Sequence, residues 1–138
     1  MNDTTTTDTA ALRPSVALED DSPAGVPRAR RVAHAFAEGL DPAPAPATAE
    51  TLALVVSELA TNALRHGGGH YMLRLSATTD AVHVAVSDRN PAPPREREAD
   101  LNDDTGGFGW PLIRHLADGV SVTPGPGRGK TIHVRLPR

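Results

Sequence analysis

Cysteine is missing from all 138 residues, which excludes disulfides and thiolate metal sites. Aromatic side chains make up 3% of the chain, so its core must be built from Val, Leu, Ile and Ala rather than from rings. There is no excess of positive charge. The formal net charge is −3, which leaves no broad basic surface for nucleic acid or anionic lipid. No apolar run approaches the ~20 residues of a membrane span. The opening MNDTTTTDTA lacks the basic start and apolar centre of a secretion signal. These absences lead to the expectation of a soluble cytoplasmic protein with no membrane association and no direct nucleic-acid contact. The length suits one domain.

Residues 1 to 12 are Thr-rich and weakly apolar and read as a disordered tail, leaving 13 to 138 as the domain. Ser15-Val16-Ala17-Leu18 reads as a short strand. Residues 23 to 40 read as a helix, because Ala29, Val32, Ala33, Phe36, Ala37 and Leu40 recur at i, i+3, i+4, i+7. Asp41-Pro42-Ala43-Pro44-Ala45-Pro46 forbids helix and makes a stiff connector. A longer helix over 47 to 66 carries Leu52, Val55, Val56, Leu59, Ala60, Ala63 and Leu64 on one stripe, and Gly67-Gly68-Gly69 ends it. Strands over 71 to 75 and 82 to 86 are joined by a hairpin at Thr78-Thr79-Asp80. A polar, Pro-rich loop from 89 to 106 is long enough to be functional or mobile. A helix over 109 to 117 and strands over 120 to 122 and 131 to 136 close the chain. This order suits an α+β fold: a two-layer sandwich in which helices cover one face of a mixed, mostly antiparallel sheet.

Three places along the chain carry chemistry. Glu58, Asn62 and Arg65 fall at i, i+4 and i+7 on the long helix, roughly 135° from the centre of its apolar face. The stripe is a solvated helix face or the flank of a cleft. A carboxylate and an amide oxygen one turn apart suit a hard, hydrated Mg²⁺. Asp88 continues the parity of Val82, Val84 and Val86, so it points to the buried side of the sheet. It needs a donor there, and an adenine amine, a backbone amide or an arginine would each serve. Thr105-Gly106-Gly107-Phe108-Gly109-Trp110 opens a helix whose free N–H groups suit phosphate. Glycine-rich loops are common, so that run decides nothing alone.

Two other patterns lead nowhere. Gly125-Pro126-Gly127-Arg128-Gly129-Lys130-Thr131 looks like the tail of a P-loop, but Pro124 stands where that motif requires glycine and the chain continues as a strand. The six histidines follow no zinc spacing.

In order and spacing, these elements resemble the ATP-binding family of gyrase, histidine kinases and the MutL repair protein (GHKL, or Bergerat fold). Ser57-Glu58-Leu59-Ala60-Thr61-Asn62-Ala63-Leu64-Arg65-His66-Gly67 resembles its N-box. Val86-Ser87-Asp88-Arg89-Asn90-Pro91 resembles its adenine-binding box, Gly107-Phe108-Gly109-Trp110 its glycine box and Gly129-Lys130-Thr131-Ile132 its closing box. The small size resembles the anti-sigma-factor serine/threonine kinase subgroup. That resemblance implies ATP and Mg²⁺ as cofactors, with Asn62 as the metal ligand and Glu58 as the base that activates a substrate serine. It implies that Asp88 accepts from the adenine amine with Thr131 in support, and that Gly107 and Gly109 hold phosphate. Residues 91 to 106 would form a lid, and Arg65, His66, Asn90 and Phe108 complete the nucleotide-binding set. The implied partners are an anti-anti-sigma protein of STAS type and a sigma factor, so the role is transcription regulation, and there is room for a homodimer.

The chain departs from that pattern at Asn90, where glycine is frequent, and at Lys130, where threonine is frequent. Asp103-Asp104 precede the glycine box where the kinases often carry a basic residue. The last departure favours a nucleotide-dependent binding module with little kinase activity. Arg28, Arg30 and Arg31 lie mostly off the first helix's apolar stripe and form either a solvated face or a docking face for partner carboxylates.

Overall fold

A computed structural model describes residues 15–92, 109–125 and 127–138. The expected tail, the lid beyond Ala92, and Gly107 and Phe108 of the glycine box lie outside the described residues. In chain order the elements are β1 (Ser15–Asp20), a 3-10 turn (Pro23–Gly25), α1 (Val26–Glu38), α2 (Pro46–His66), β2 (Tyr71–Ala77), β3 (Ala81–Asp88), α3 (Gly109–Leu116), β4 (Gly119–Pro124) and β5 (Lys130–Pro137). The strands lie in the order β1-β2-β3-β5-β4, and every pairing is antiparallel.

Local chemistry sets the boundaries. Asp20 Oδ1 accepts from the N–H groups of Asp21 and Ser22 and turns the chain out of β1. Ser22 Oγ then accepts from Ala24 N at 3.2 Å, capping the short turn. The helix expected from residue 23 is therefore split, and its α-helical part starts at Val26 with Pro27 in the first turn, where a missing N–H costs nothing. Pro46 opens α2 for the same reason. At the other end of α2, the N–H groups of Gly67 and Gly69 both reach Ala63 O, and Gly68 and Gly69 adopt φ of 96° and 80°. Side chains rarely adopt such angles, so these glycines turn the chain directly from helix to β2.

Strand alternation divides the sheet into two faces. Tyr71, Leu73, Leu75 and Ala77 of β2, Val82, Val84 and Val86 of β3, and Ile132, Val134 and Leu136 of β5 are buried. They meet the buried stripe of α2, Phe36 of α1 and Ile113 of α3 in one core. Trp110 packs on that core from its edge. The P-loop-like run is a hairpin turn, in which Gly125 N donates to Gly129 O at 2.9 Å and Thr131 already lies in β5. Among the described residues, no helix is long and apolar enough to cross a membrane.

The two sides of α2 make a direct test of this packing. Leu59 is 1% exposed and Leu54 is 39% exposed. In urea denaturation, Leu59→Ala is expected to cost about 2–5 kcal/mol, and Leu54→Ala about 0.5 kcal/mol or less. Equal losses would place the helix in the wrong rotation.

Candidate functional site

Asp88 is the last residue of β3 and one of few charged groups in the core, 6% exposed. Three segments converge on it. The first is the end of α2. A Cβ on Gly67 would stand 2.5 Å from Asp88 Oδ2, so only glycine lets the helix terminus rest against the carboxylate. Arg89 N donates to Gly67 O at 2.8 Å, and Asn90 Nδ2 donates to His66 O at 2.7 Å. The second segment is the turn that follows β3. Asn90 N donates to Asp88 Oδ1 at 2.9 Å, and Ala92 N donates to Asn90 Oδ1 at 3.0 Å. The third is the start of β5. A Cβ on Gly129 would collide with the Asp88 carbonyl oxygen, and Lys130 lies opposite Asp88 in the ladder.

Lys130 supplies the charge that Asp88 needs. Its Nζ donates to Asp88 Oδ2 at 2.8 Å, to Asp88 Oδ1 at 3.1 Å and to Asn90 O at 3.0 Å. The two side chains are 7% and 4% exposed. An ion pair this deep stands only if its hydrogen bonds are complete, and all three ammonium protons have acceptors here.

The polar stripe of α2 runs towards the same corner. Ser57 is buried, and its Oγ accepts from Arg30 Nη2 of α1 at 3.1 Å. Glu58 is half-buried. Burial raises its pKa above the ordinary 4.5, opposed by the nearby Arg65 and then Arg30. Asn62, one turn on, is half-buried, and Arg65 and His66 are exposed in the last turn. Both of these last two interact with neighbours.

The structure thus brings His66, Asp88 and Asn90 into one bonded unit and strings Glu58, Asn62 and Arg65 along the helix leading to it. Thr131 goes elsewhere. It pairs with Ser87, their hydroxyls are 2.7 Å apart, and both lie on the sheet face opposite Asp88. The residue beside Asp88 is Lys130, one position earlier. Gly109 opens α3. The family pattern hid Lys130 because threonine is frequent there. The sequence did carry a signal, since Lys130 shares parity with Ile132, Val134 and Leu136.

A second surface lies on the uncovered face of the sheet, where Arg74, His83, His133 and Arg135 help to line an open concavity of about 680 Å³. Burial and then the Arg135 charge hold the His83 pKa below its usual value. This concavity is on the wrong side of the sheet to include Asp88.

A family model for the histidine kinase-like ATPase domain matches residues 20–136. The chain belongs to that family. No curated protein matches it. For a histidine kinase-like ATPase domain, membership implies ATP binding, and the donor set suits it. The ionised Asp88 carboxylate is an acceptor-only group of the kind that takes an amine proton. Among the described residues, no three His, Cys, Asp or Glu side chains group to hold a metal. Mg²⁺ is commonly carried by substrate phosphates with one or two protein ligands, and the Asn62 amide oxygen is suited to that part.

The raised pKa of Glu58 has a stability consequence. The folded state holds this proton more tightly than the unfolded chain, so the contribution of Glu58 to stability is lost as pH rises through the window above 4.5. Glu58→Gln is expected to raise Tm at pH 7, with the gain shrinking towards pH 4. A variant that melts below wild type at pH 7 would show that the carboxylate is stabilising, contrary to the burial argument.

Proposed function

We propose that this ATPase-family domain is a regulatory serine/threonine kinase of the anti-sigma type, phosphorylating a serine on an anti-anti-sigma partner and sequestering a sigma factor. The observation that carries the reading is the joining of the α2 terminus to the Asp88 turn. It fixes the polar stripe of Glu58 and Asn62 relative to a buried acceptor suited to an adenine amine. Bound Mg-ATP supplies the phosphoryl group and the charge that neutralises it.

In this reading Asn62 ligates Mg²⁺, Asp88 accepts from adenine, and Glu58 takes the proton from the substrate serine. A half-buried carboxylate with a raised pKa is a better base than a solvated one. Arg28 and Arg31 are exposed on α1 and suit a partner's carboxylates, although Arg28 also lies 3.9 Å from Asp20 Oδ2 and Arg30 is tied to Ser57. A second reading, a nucleotide-dependent binding module without useful transfer, is favoured by Asp103-Asp104 beside the glycine box. An acidic pair there opposes the γ-phosphate.

Calorimetry tests the nucleotide assignment. Asn62→Ala is expected to abolish the Mg²⁺ dependence of ATP binding. Asp88→Asn should weaken ATP about tenfold or more while leaving GTP less affected. Unchanged affinity in both variants would remove these residues from the site.

Labelled ATP and a candidate STAS-type partner separate the two readings. Wild type is expected to transfer phosphate, and Glu58→Gln to bind ATP normally while losing at least about a hundredfold in transfer. A wild type that captures its partner with nucleotide yet transfers nothing is the binding module.

A further inference from the structure

Among the 14 Lys and Arg residues of the chain, Lys130 is the single lysine. It is also the basic side chain buried against Asp88, with every ammonium proton bonded within this chain. An ammonium N–H and the exocyclic N–H of an aminopurine are donors to the same carboxylate oxygens. The ammonium carries a full charge and makes the stronger bonds.

We propose that Lys130 determines affinity at the nucleotide site, because its ammonium occupies the acceptor face of Asp88 that a 6-aminopurine would use. The inference rests on the ATP-binding reading above. A purine then binds by exchange: the base amine takes an Asp88 oxygen, and Lys130 gives up one or more of its three acceptors.

Residue type and surroundings support exchange over a fixed structural pair. An arginine fork would hold the carboxylate in two places, whereas lysine is a point charge on a flexible four-carbon stem. The stem starts at the first residue of β5, next to an exposed hairpin turn at Gly127 and Arg128, so the path from buried pair to water is short. Asp88 keeps the Asn90 N–H when the ammonium leaves, so the carboxylate is not stripped of donors. If the pair served packing alone, apolar residues of similar volume would hold the strand ends at least as well.

The test titrates the full chain with Mg-ADP in wild-type and Lys130→Met forms. Methionine keeps most of the stem and removes the competing donor. The variant is expected to melt lower without nucleotide, to bind Mg-ADP about tenfold or more tightly, and to show a larger rise in Tm on binding. A folded variant that binds equally or more weakly overturns the exchange while leaving ATP binding intact. Absence of binding in both proteins overturns the ATP reading together with it.

A second measurement needs no variant. With one lysine in the chain, amine acylation followed by mass spectrometry reports on Lys130 directly, against the N-terminal amine as reference. Labelling is expected to be slow in the free protein and several-fold faster with saturating Mg-ADP. Unchanged or slower labelling would mean that the ammonium stays on Asp88, and the proposal would fail.

Discussion

Asp88 sits among valines at the end of the central strand, and a carboxylate in that position must be neutralised and hydrogen-bonded for the strand end to remain dry. Much of the neighbouring sequence answers that demand. Lys130 neutralises it, the Asn90 N–H bonds it, and Gly67 and Gly129 remove the side chains that would keep α2 and β5 at a distance. In the proposed reading the same group accepts from a nucleotide base, so that fold and ligand compete for one carboxylate.

Helix α2 carries a comparable double duty along its length. Its apolar stripe holds the core, and its polar side bears Glu58 and Asn62. Rotation of the helix would displace both at once, so these two side chains are as well placed as the core is packed. Arg30 adds a side support by bonding Ser57, the neighbour of Glu58, from α1. In the proposed kinase reading, a partner that shifts α1 has a mechanical route to Glu58.

Much of this was legible in the residues. The alternation of Val82, Val84 and Val86 correctly sent Asp88 inward, and the stripe from Leu52 to Ala63 correctly oriented α2. Turn chemistry at Thr78-Thr79-Asp80 placed the β2–β3 hairpin. What the family resemblance missed was register. The parity of Lys130 with Ile132, Val134 and Leu136 puts residue 130 rather than 131 on the side of Asp88, and a slip of one residue reverses the face of the sheet. For that reason Thr131, assigned by resemblance beside Asp88, lies with Ser87 on the other side. Arg30 escaped for a related cause. Helical spacing shows which side chains leave the apolar stripe, but not which of them reach a neighbouring helix. The break before Val26 depends on the Ser22 cap, which competes locally with continuous helix.

The sheet is assembled from two hairpins, β2–β3 and β4–β5, joined by the β3–β5 ladder, with β1 added beside β2. Each hairpin closes over a few residues, whereas Asp88 and Lys130 are 42 positions apart in sequence. Closing the chain over that span costs more entropy than closing either hairpin. Neither charge gains by leaving water before the other arrives. Desolvation of the pair is therefore tied to the docking of the two hairpins. The Asp88–Lys130 unit exists in neither hairpin alone and is made by their union.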